Sequence, residues 1–374
     1  MLKKWTKQEE QILRKLRAEG RSVREISDLM GRDANSVDHK IYALKIPVLS
    51  AAQNEIKINK QSERMAFIKE MGQQLVSSFN VNSIKLPQII SKIKYAADKK
   101  EEWSILDISD VHLGVVNKVF DTTQGKQVVT YDFNIFQQEL ERLRQSVIEI
   151  HNLLSNAYNL KHLYINILGD ILTNDRIFTG QIFQIDRCVG QQLWDSVAHL
   201  VNFINSMKVI YEKITVTCVI GNHGRSTAEY SEEPVENSFE YHLYRIIQQT
   251  FEKDQKIEVI VPNTQNTIVE IAGHKHLLMH GDQFRGSGGN MSPKIEKLYV
   301  NVGGFSVVDM GHFHNCKEDN ISDKILVKQN GAWIEKEDYA YKRFRTYSIP
   351  KQHFYGCNKR RACTWSYTLD LRKN

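Results

Sequence analysis

Through the first 46 residues apolar side chains recur every three or four positions, and each stretch opens on a residue able to cap a helix. Thr6 and Glu9 stand three apart ahead of Ile12, Leu13 and Leu16, and Ser22 and Glu25 repeat that spacing ahead of Ile26, Leu29 and Met30. A hydroxyl followed three residues later by a glutamate is a capping box, in which side chains and backbone amides satisfy one another. Gly20 and Gly31 are placed to end these two helices. Asp33 is placed to cap a third, whose stripe is Val37, Ile41 and Leu44, and Pro47 stops the pattern. A small all-α, tri-helical domain is expected over 1–47. The stretch 48–100 reads as a linker with partial helix: 64–79 fits one amphipathic helix, and 83–100 is basic with Pro87 near its start.

From Trp103 the texture changes. Short apolar runs at 104–108, 163–168, 214–220, 257–261, 267–279, 306–310 and 362–371 are set among helical patterns at 133–154, 185–211 and 239–251. Alternating strands and helices followed by a strand-rich last third predict a layered α/β domain over 101–374, with helices outside a sheet core.

Composition narrows the setting. The 374 residues suggest two or three domains, and 41% hydrophobic content is enough for a real core. No run of 18 apolar residues occurs, so no membrane-spanning helix and no membrane partner are expected. The basic start is not followed by an apolar core and cleavage site, so no secretory signal is expected. Five widely spaced cysteines without a CxxC read as reduced thiols of a cytoplasmic protein. The net charge of +6 is uneven: residues 1–100 hold 20 Lys and Arg against 11 Asp and Glu, and the remainder hold 30 against 33. A basic front on a near-neutral body fits an anionic partner such as nucleic acid, or simply a solvated basic surface.

The chemistry sits where the strand-like runs end. The first is followed by Asp110-Val-His112-Leu-Gly114, the second by Gly169-Asp170, the third by Gly221-Asn222-His223-Gly224. Later runs are followed by His280-Gly281-Asp282 and by Gly311-His312-Phe-His314. In layered α/β folds the strand ends form the crevice that binds ligands, so clusters two hundred residues apart can converge there. Oxygen and nitrogen donors without a thiolate suit Mn2+, Fe2+ or Zn2+. Seven candidates exceed the needs of one ion and fit two ions sharing one carboxylate, a clamp for in-line attack on phosphate. The neighbouring glycines let the backbone turn sharply and a bulky phosphate approach.

These five motifs, in this order, resemble the calcineurin-like metallophosphoesterase superfamily, over roughly 103–371. The resemblance implies an αββα sandwich and two divalent ions, Mn2+ first, with Fe2+ or Zn2+ as alternatives. It implies that Asp110, His112 and His314 hold one ion, that Asn222, His280 and His312 hold the other, and that Asp170 bridges them. It implies that His223 donates a proton or hydrogen bond to the leaving oxygen. Many members follow that histidine with an acidic residue that orients it; here Gly224 and Arg225 follow, so His223 needs another partner, and Arg225 is a candidate phosphate grip. His274 and His276 share a strand face with His280 but read as ordinary strand residues, and His151, His162, His199, His242 and His353 as surface or core. Asn174 and Asp175 are placed equally well to face substrate or to cap a helix.

The front unit is similar to a helix-turn-helix of the Myb or homeodomain-like kind, which places Arg32, Asn35, Ser36, His39 and Lys40 on the face that would meet DNA. A protein-docking module is the other reading. The leading expectation is a metal-dependent DNA nuclease tethered by its front domain, similar to SbcD-type exonucleases and to phosphoesterases of phages and mobile elements. Two readings stand beside it: a small-molecule phosphatase or cyclic-nucleotide phosphodiesterase, and a DNA-binding regulator with a vestigial metal site. No Gly-x-x-x-x-Gly-Lys-Ser/Thr is present, so an ATPase would be a separate partner; a homodimer is also compatible.

Overall fold

The computed structural model describes residues 5–19, 21–46, 66, 69–70, 72–74, 99–228, 233–284, 291–336 and 348–372. The chain divides into two compact units, 1–70 and 71–374. Gly20, Pro47 and most of the stretch expected to link them lie outside the described residues; of the helix expected over 64–79, residues 66, 69–70 and 72–74 are described and are helical.

In the first unit the capping boxes form as their spacing requires. The amide of Glu9 donates to Thr6 Oγ1 at 3.2 Å and that of Thr6 to Glu9 Oε2 at 2.8 Å, opening α1 (Lys7–Ala18). Ser22 and Glu25 repeat both bonds ahead of α2 (Val23–Met30), which closes on Gly31 at φ 59°. Asp33 accepts from the Ser36 amide at 3.0 Å and opens α3 (Ala34–Ala43). Each cap contributes about 1 kcal/mol to a helix too short to be stable alone. Leu13, Ile26, Val37, Ile41 and Ile46 form the core, with Trp5, Leu16, Val23, Met30 and Leu44 around it.

Among the described residues the second unit holds a six-stranded and a five-stranded sheet. In the first, β1 (Lys100–Ile108), β4 (Tyr158–Leu168), β5 (Lys213–Val219) and β6 (Ile257–Ile260) run parallel, and β12 (Lys351–Asn358) and β13 (Arg361–Asp370) extend it antiparallel beside β1. In the second, the order is β10 (Lys317–Ile321), β11 (Ile325–Gln329), β9 (Val307–Met310), β8 (His274–Met279), β7 (Asn266–Ile271). β2 (Asn117–Asp121) and β3 (Lys126–Tyr131) form a separate hairpin.

Strand alternation sorts the layers. Leu106, Ile108, Ile165 and Ile167 pack against α4 (Phe133–Leu154), α5 (Val189–Ser206) and α6 (Phe239–Phe251). Ile105, Tyr355 and Cys357, from the opposite face, meet Ile271 of the second sheet, and Leu168 and Val219 meet Leu278. Beyond the second sheet, Leu277, Val308 and Met310 cover α7 (Ser292–Asn301) through Ile295. The order is helices, sheet, sheet, helix: the αββα sandwich. Between the sheets lies a polar seam, in which Asp309 binds His276 at 3.2 Å and the Tyr355 hydroxyl at 2.7 Å, so His276 is a buried strand residue.

Two expectations change. The run at 267–279 is two strands, β7 and β8, reversed through Ala272 at φ 54° and Gly273 at φ 88°. Two consecutive positive φ values make the tight hairpin that twisted strands favour. The helix expected over 185–211 begins at Val189 and ends in a 3-10 turn, Met207–Val209. No described helix is long and apolar enough to cross a membrane.

Glu139 on α4 yields a stability prediction. Its carboxyl is buried and Oε2 has no hydrogen-bond partner among the described residues. Burial pushes its pKa from 4.5 up to about 9, against the opposing pull of Arg142. The native state therefore keeps a proton that the unfolded chain releases, and stability falls as pH rises through that window. Glu139→Gln should stabilise the protein by a few kcal/mol at about pH 8 and little near pH 4.5, read from urea midpoints. An equal effect at both pH values would contradict this.

Candidate metal centre

Past the ends of β1 and β4 the chain continues as two adjacent loops: the amide of Asp110 donates to the Gly169 carbonyl at 3.1 Å, and that of His112 to the Asp170 carbonyl at 2.9 Å. In the other sheet the Gly311 amide donates to the His280 carbonyl at 2.9 Å. At these turns non-glycine residues take left-handed backbone: Asp110 φ 51°, His112 φ 49°, Asp170 φ 53°, His312 φ 72° and His314 φ 56°. Each costs about 1–2 kcal/mol, so five of the seven expected ligands sit on strained backbone that the surrounding fold has to hold.

The side chains converge. His112 Nε2 lies 3.1 Å from His314 Nε2, and Asp110 Oδ1 lies 3.5 Å from the same nitrogen. Asp170 Oδ2 is 3.0 Å from His280 Nε2, which is 3.1 Å from Asn222 Oδ1 and 3.3 Å from His312 Nδ1. Donor atoms within 4.8 Å of one another form three groups: Asp110, His112 and His314; His112, Asp170 and His223; and Asp170, His280 and His312. Asp170 belongs to two of them.

The surroundings prepare these groups as ligands. The Nδ1 of His280 bonds the Leu168 carbonyl at 2.8 Å, which fixes the ring with Nε2 toward the cluster. Burial would lower its pKa, but the neighbouring Asp170 outweighs it and holds the ring well above the usual histidine range. Burial, then His223 and His314, hold His112 well below the usual histidine range. Burial, then His280, lowers His312 to about 3, so both are neutral imidazoles. Burial raises Asp110, although His314 pulls the other way. Burial would raise Asp170 as well, but His280 and His223 outweigh it and hold the carboxyl well below its ordinary value. Such a buried oxygen and nitrogen set, with the imidazole nitrogens packed together, fits divalent metal ions.

Gly114, Gly169 and Gly281 make the sharp turns expected of them, with φ of 104°, 84° and 113°, and Gly221 and Gly311 have a further purpose. A Cβ at Gly221 would lie 2.1 Å from Asp170 Oδ1, and one at Gly311 would lie 2.3 Å from Asp110 Oδ2. They clear space for the carboxylates and not for the substrate.

His223 obtains its orienting partner from the backbone: Nδ1 bonds the Thr173 carbonyl at 2.9 Å, and its amide donates to Asp170 Oδ1 at 2.8 Å. Asn174 neither faces substrate nor caps a helix; its Nδ2 donates to the carbonyls of His223 at 2.7 Å and Arg225 at 2.8 Å. Asp175 takes the capping side, accepting from the Val189 amide at 3.2 Å at the start of α5. Arg225, the candidate phosphate grip, is tied to backbone through one nitrogen. Its Nε donates to the Asn222 carbonyl at 2.7 Å, and it is not among the residues lining the cavity. That cavity, of about 260 Å³, is lined by His112, Asp170, Asn222, His223, His312 and His314, and by Val115, Thr173, Phe178, Gln181 and Ile334 among others.

The sequence reading missed Glu240. Fully buried at the start of α6, it accepts from the amides of Ile171 at 2.5 Å and Leu172 at 3.3 Å through one oxygen, and from Gly221 at 2.6 Å through the other. It ties the two ligand loops to one helix. Burial, then Asp170, push its pKa up to about 7. Its only trace in the sequence is an acidic residue in a helical first turn, a commonplace.

In the front unit two of the expected DNA-facing side chains are turned to internal partners. Arg32 pairs with Glu9 at 3.0 Å and lies over the Trp5 ring at 4.2 Å, its side chain 8% exposed. Lys40 pairs with Glu10 at 2.6 Å. Asn35 and His39 are exposed, and Ser36 is partly so.

No protein-family profile and no curated relative matches the chain. Among solved structures it is similar to vacuolar protein sorting 29 from Cryptosporidium parvum, at 13% identity over 73% of this chain and 93% of that one, with a TM-score of 0.34. It is similar to a Streptococcus pneumoniae protein described as a predicted phosphoesterase, at 11% identity over 72% and 98%, with a TM-score of 0.30. A 5′-nucleotidase from Candida albicans shares 11% identity over 75% of this chain and 53% of its own length, with a TM-score of 0.33.

Proposed function

We propose that the chain is a metal-dependent phosphodiesterase that cuts DNA, using Asp110, His112 and His314 around one divalent ion, Asn222, His280 and His312 around a second, and Asp170 between them. The observation that carries this reading is the convergence of these donors, five of them on strained backbone, at one end of two sheets. Bound divalent ions supply Lewis acidity, and they lower the pKa of water toward ~7. Hydrolysis joins a water oxygen to phosphorus and breaks the bond to the leaving oxygen, which must gain a proton. In this reading His223 makes that delivery. Its Nδ1 is engaged by Thr173, so Nε2 is the atom that can serve the cavity. Asn174, Arg225 and Glu240 touch no substrate in this reading; they hold the loops that carry the ligands.

The cavity's small volume also suits a single nucleotide, which favours a small-molecule phosphodiesterase as the second reading. A panel of labelled single- and double-stranded DNA, cyclic nucleotides and bis(p-nitrophenyl) phosphate, with and without Mn2+, separates them. DNA cleavage supports the first reading, and cleavage of the small esters alone supports the second.

The tether to DNA rests on the positive surplus of residues 1–100 and on the tri-helical unit. With Arg32 and Lys40 engaged internally, α3 would meet DNA through Asn35, Ser36 and His39. Deleting residues 1–47 should weaken DNA binding about tenfold or more at low salt, flatten its salt dependence, and spare hydrolysis of a small diester. Unchanged affinity in a filter-binding or anisotropy titration would remove the tether.

A further inference from the structure

We propose that Phe178 is the platform on which a nucleobase beside the scissile phosphate stacks, making it a specificity-determining residue. This rests on the phosphodiesterase reading and deepens it by naming a nucleobase-bearing diester as the substrate.

Phe178 lines the same cavity as His112, Asp170, Asn222 and His223, yet it remains 46% exposed. Its ring centroid lies 4.9 Å from that of His223, with the planes tilted by 52°. A phenyl ring left half in water forgoes burial, and here it does so at the mouth of a polar cluster.

The segment carrying it is built to hold it there. The buried Gln181 side chain accepts from the amides of Ile177 at 2.9 Å and Phe178 at 3.2 Å, and donates to the Thr173 carbonyl at 2.5 Å. That carbonyl is the one that binds His223 Nδ1. The proton donor and the aromatic ring are thus referenced to a single backbone oxygen, which fixes their separation. The Gln184 carbonyl accepts from the Val116 amide at 2.7 Å and pins the far end of the segment. Next to Gln181, Ile182 and Phe183 are 62% and 90% exposed, so further apolar surface continues along the same turn.

Every base has a π face, so stacking on an exposed, preorganised aromatic ring recognises nucleotides without reading sequence. A phenyl face carries no hydrogen-bonding group with which to read a base edge, and among the described residues the cavity lining contains no arginine or lysine. Phe178 therefore selects for the presence of a base, not for its identity.

The test uses the full chain with Mn2+ and three dinucleotides: thymidylyl-thymidine and its two analogues carrying a tetrahydrofuran abasic residue on the 5′ or the 3′ side. The wild-type protein should lose about tenfold in kcat/KM when the base on one of the two sides is missing. Phe178→Ala should lose the same factor on the intact dinucleotide and become indifferent to that missing base, while Phe178→Trp should retain the preference. A Phe178→Ala protein that still discriminates fully against the abasic analogue overturns the proposal, as does a wild-type protein that never discriminated. Hydrolysis of bis(p-nitrophenyl) phosphate without hydrolysis of any dinucleotide overturns the base platform and leaves the phosphodiesterase reading standing. Hydrolysis of neither removes both.

Discussion

Asp170→Asn should abolish phosphodiester hydrolysis, lowering kcat by about 10³ or more, and should reduce bound metal at the same time. Asp170 is buried, belongs to two of the three donor groups, and holds the His223 amide with the oxygen it does not turn toward His280. The asparagine keeps the shape but loses the charge that links the groups, and metal-derived stabilisation of a phosphoryl transition state is worth several kcal/mol, at about 1.4 kcal/mol per factor of ten. The check is steady-state hydrolysis of bis(p-nitrophenyl) phosphate together with metal analysis of the dialysed protein. Activity within tenfold of the wild type would mean that the carboxylate is not shared in the way the geometry suggests.

His223→Asn should behave differently. We expect kcat to fall by about 10²–10⁴ with metal content unchanged. Although His223 falls within ligand range of His112 and Asp170, its Nε2 is 3.9 Å from Asp170 Oδ2, farther than the 3.0 Å of His280. A second readout isolates proton delivery. The defect should be much smaller on bis(p-nitrophenyl) phosphate, whose leaving group needs little help, than on DNA, whose alkoxide does. Loss of metal in His223→Asn, or equal defects on both substrates, would make His223 a ligand instead of a proton donor.

Much of this was legible along the chain because it is local. The capping boxes at Thr6–Glu9 and Ser22–Glu25 act over three residues, and α4 and α6 fall at the bounds their periodicity marks. Each candidate ligand follows a strand, so topology alone brings the ligands to one end of the sheets. What escaped the sequence is mostly long-range or carried by backbone atoms. Thr173 orients His223 through a carbonyl that every residue possesses, and Glu240 acts on amides 19 and 69 residues away. Arg32 looked free for DNA, but Glu9 and Trp5 reach it from a different helix and from the chain leading into it. β10 escaped because its sequence, Lys317–Ile321, is exposed apart from its last residue and carries no apolar alternation. β12 is buried at nearly every position, so it too shows no period of two.

The seating of two neighbouring divalent ions by this cluster underlies the proposed function. Its most direct test is the number of manganese ions retained per chain after equilibrium dialysis, measured by elemental analysis on the full-length protein. Two ions per chain, both lost when Asp110 and Asp170 are replaced together by alanine, is the result the geometry predicts. A chain that retains none, or whose bound manganese survives that double replacement, would contradict it.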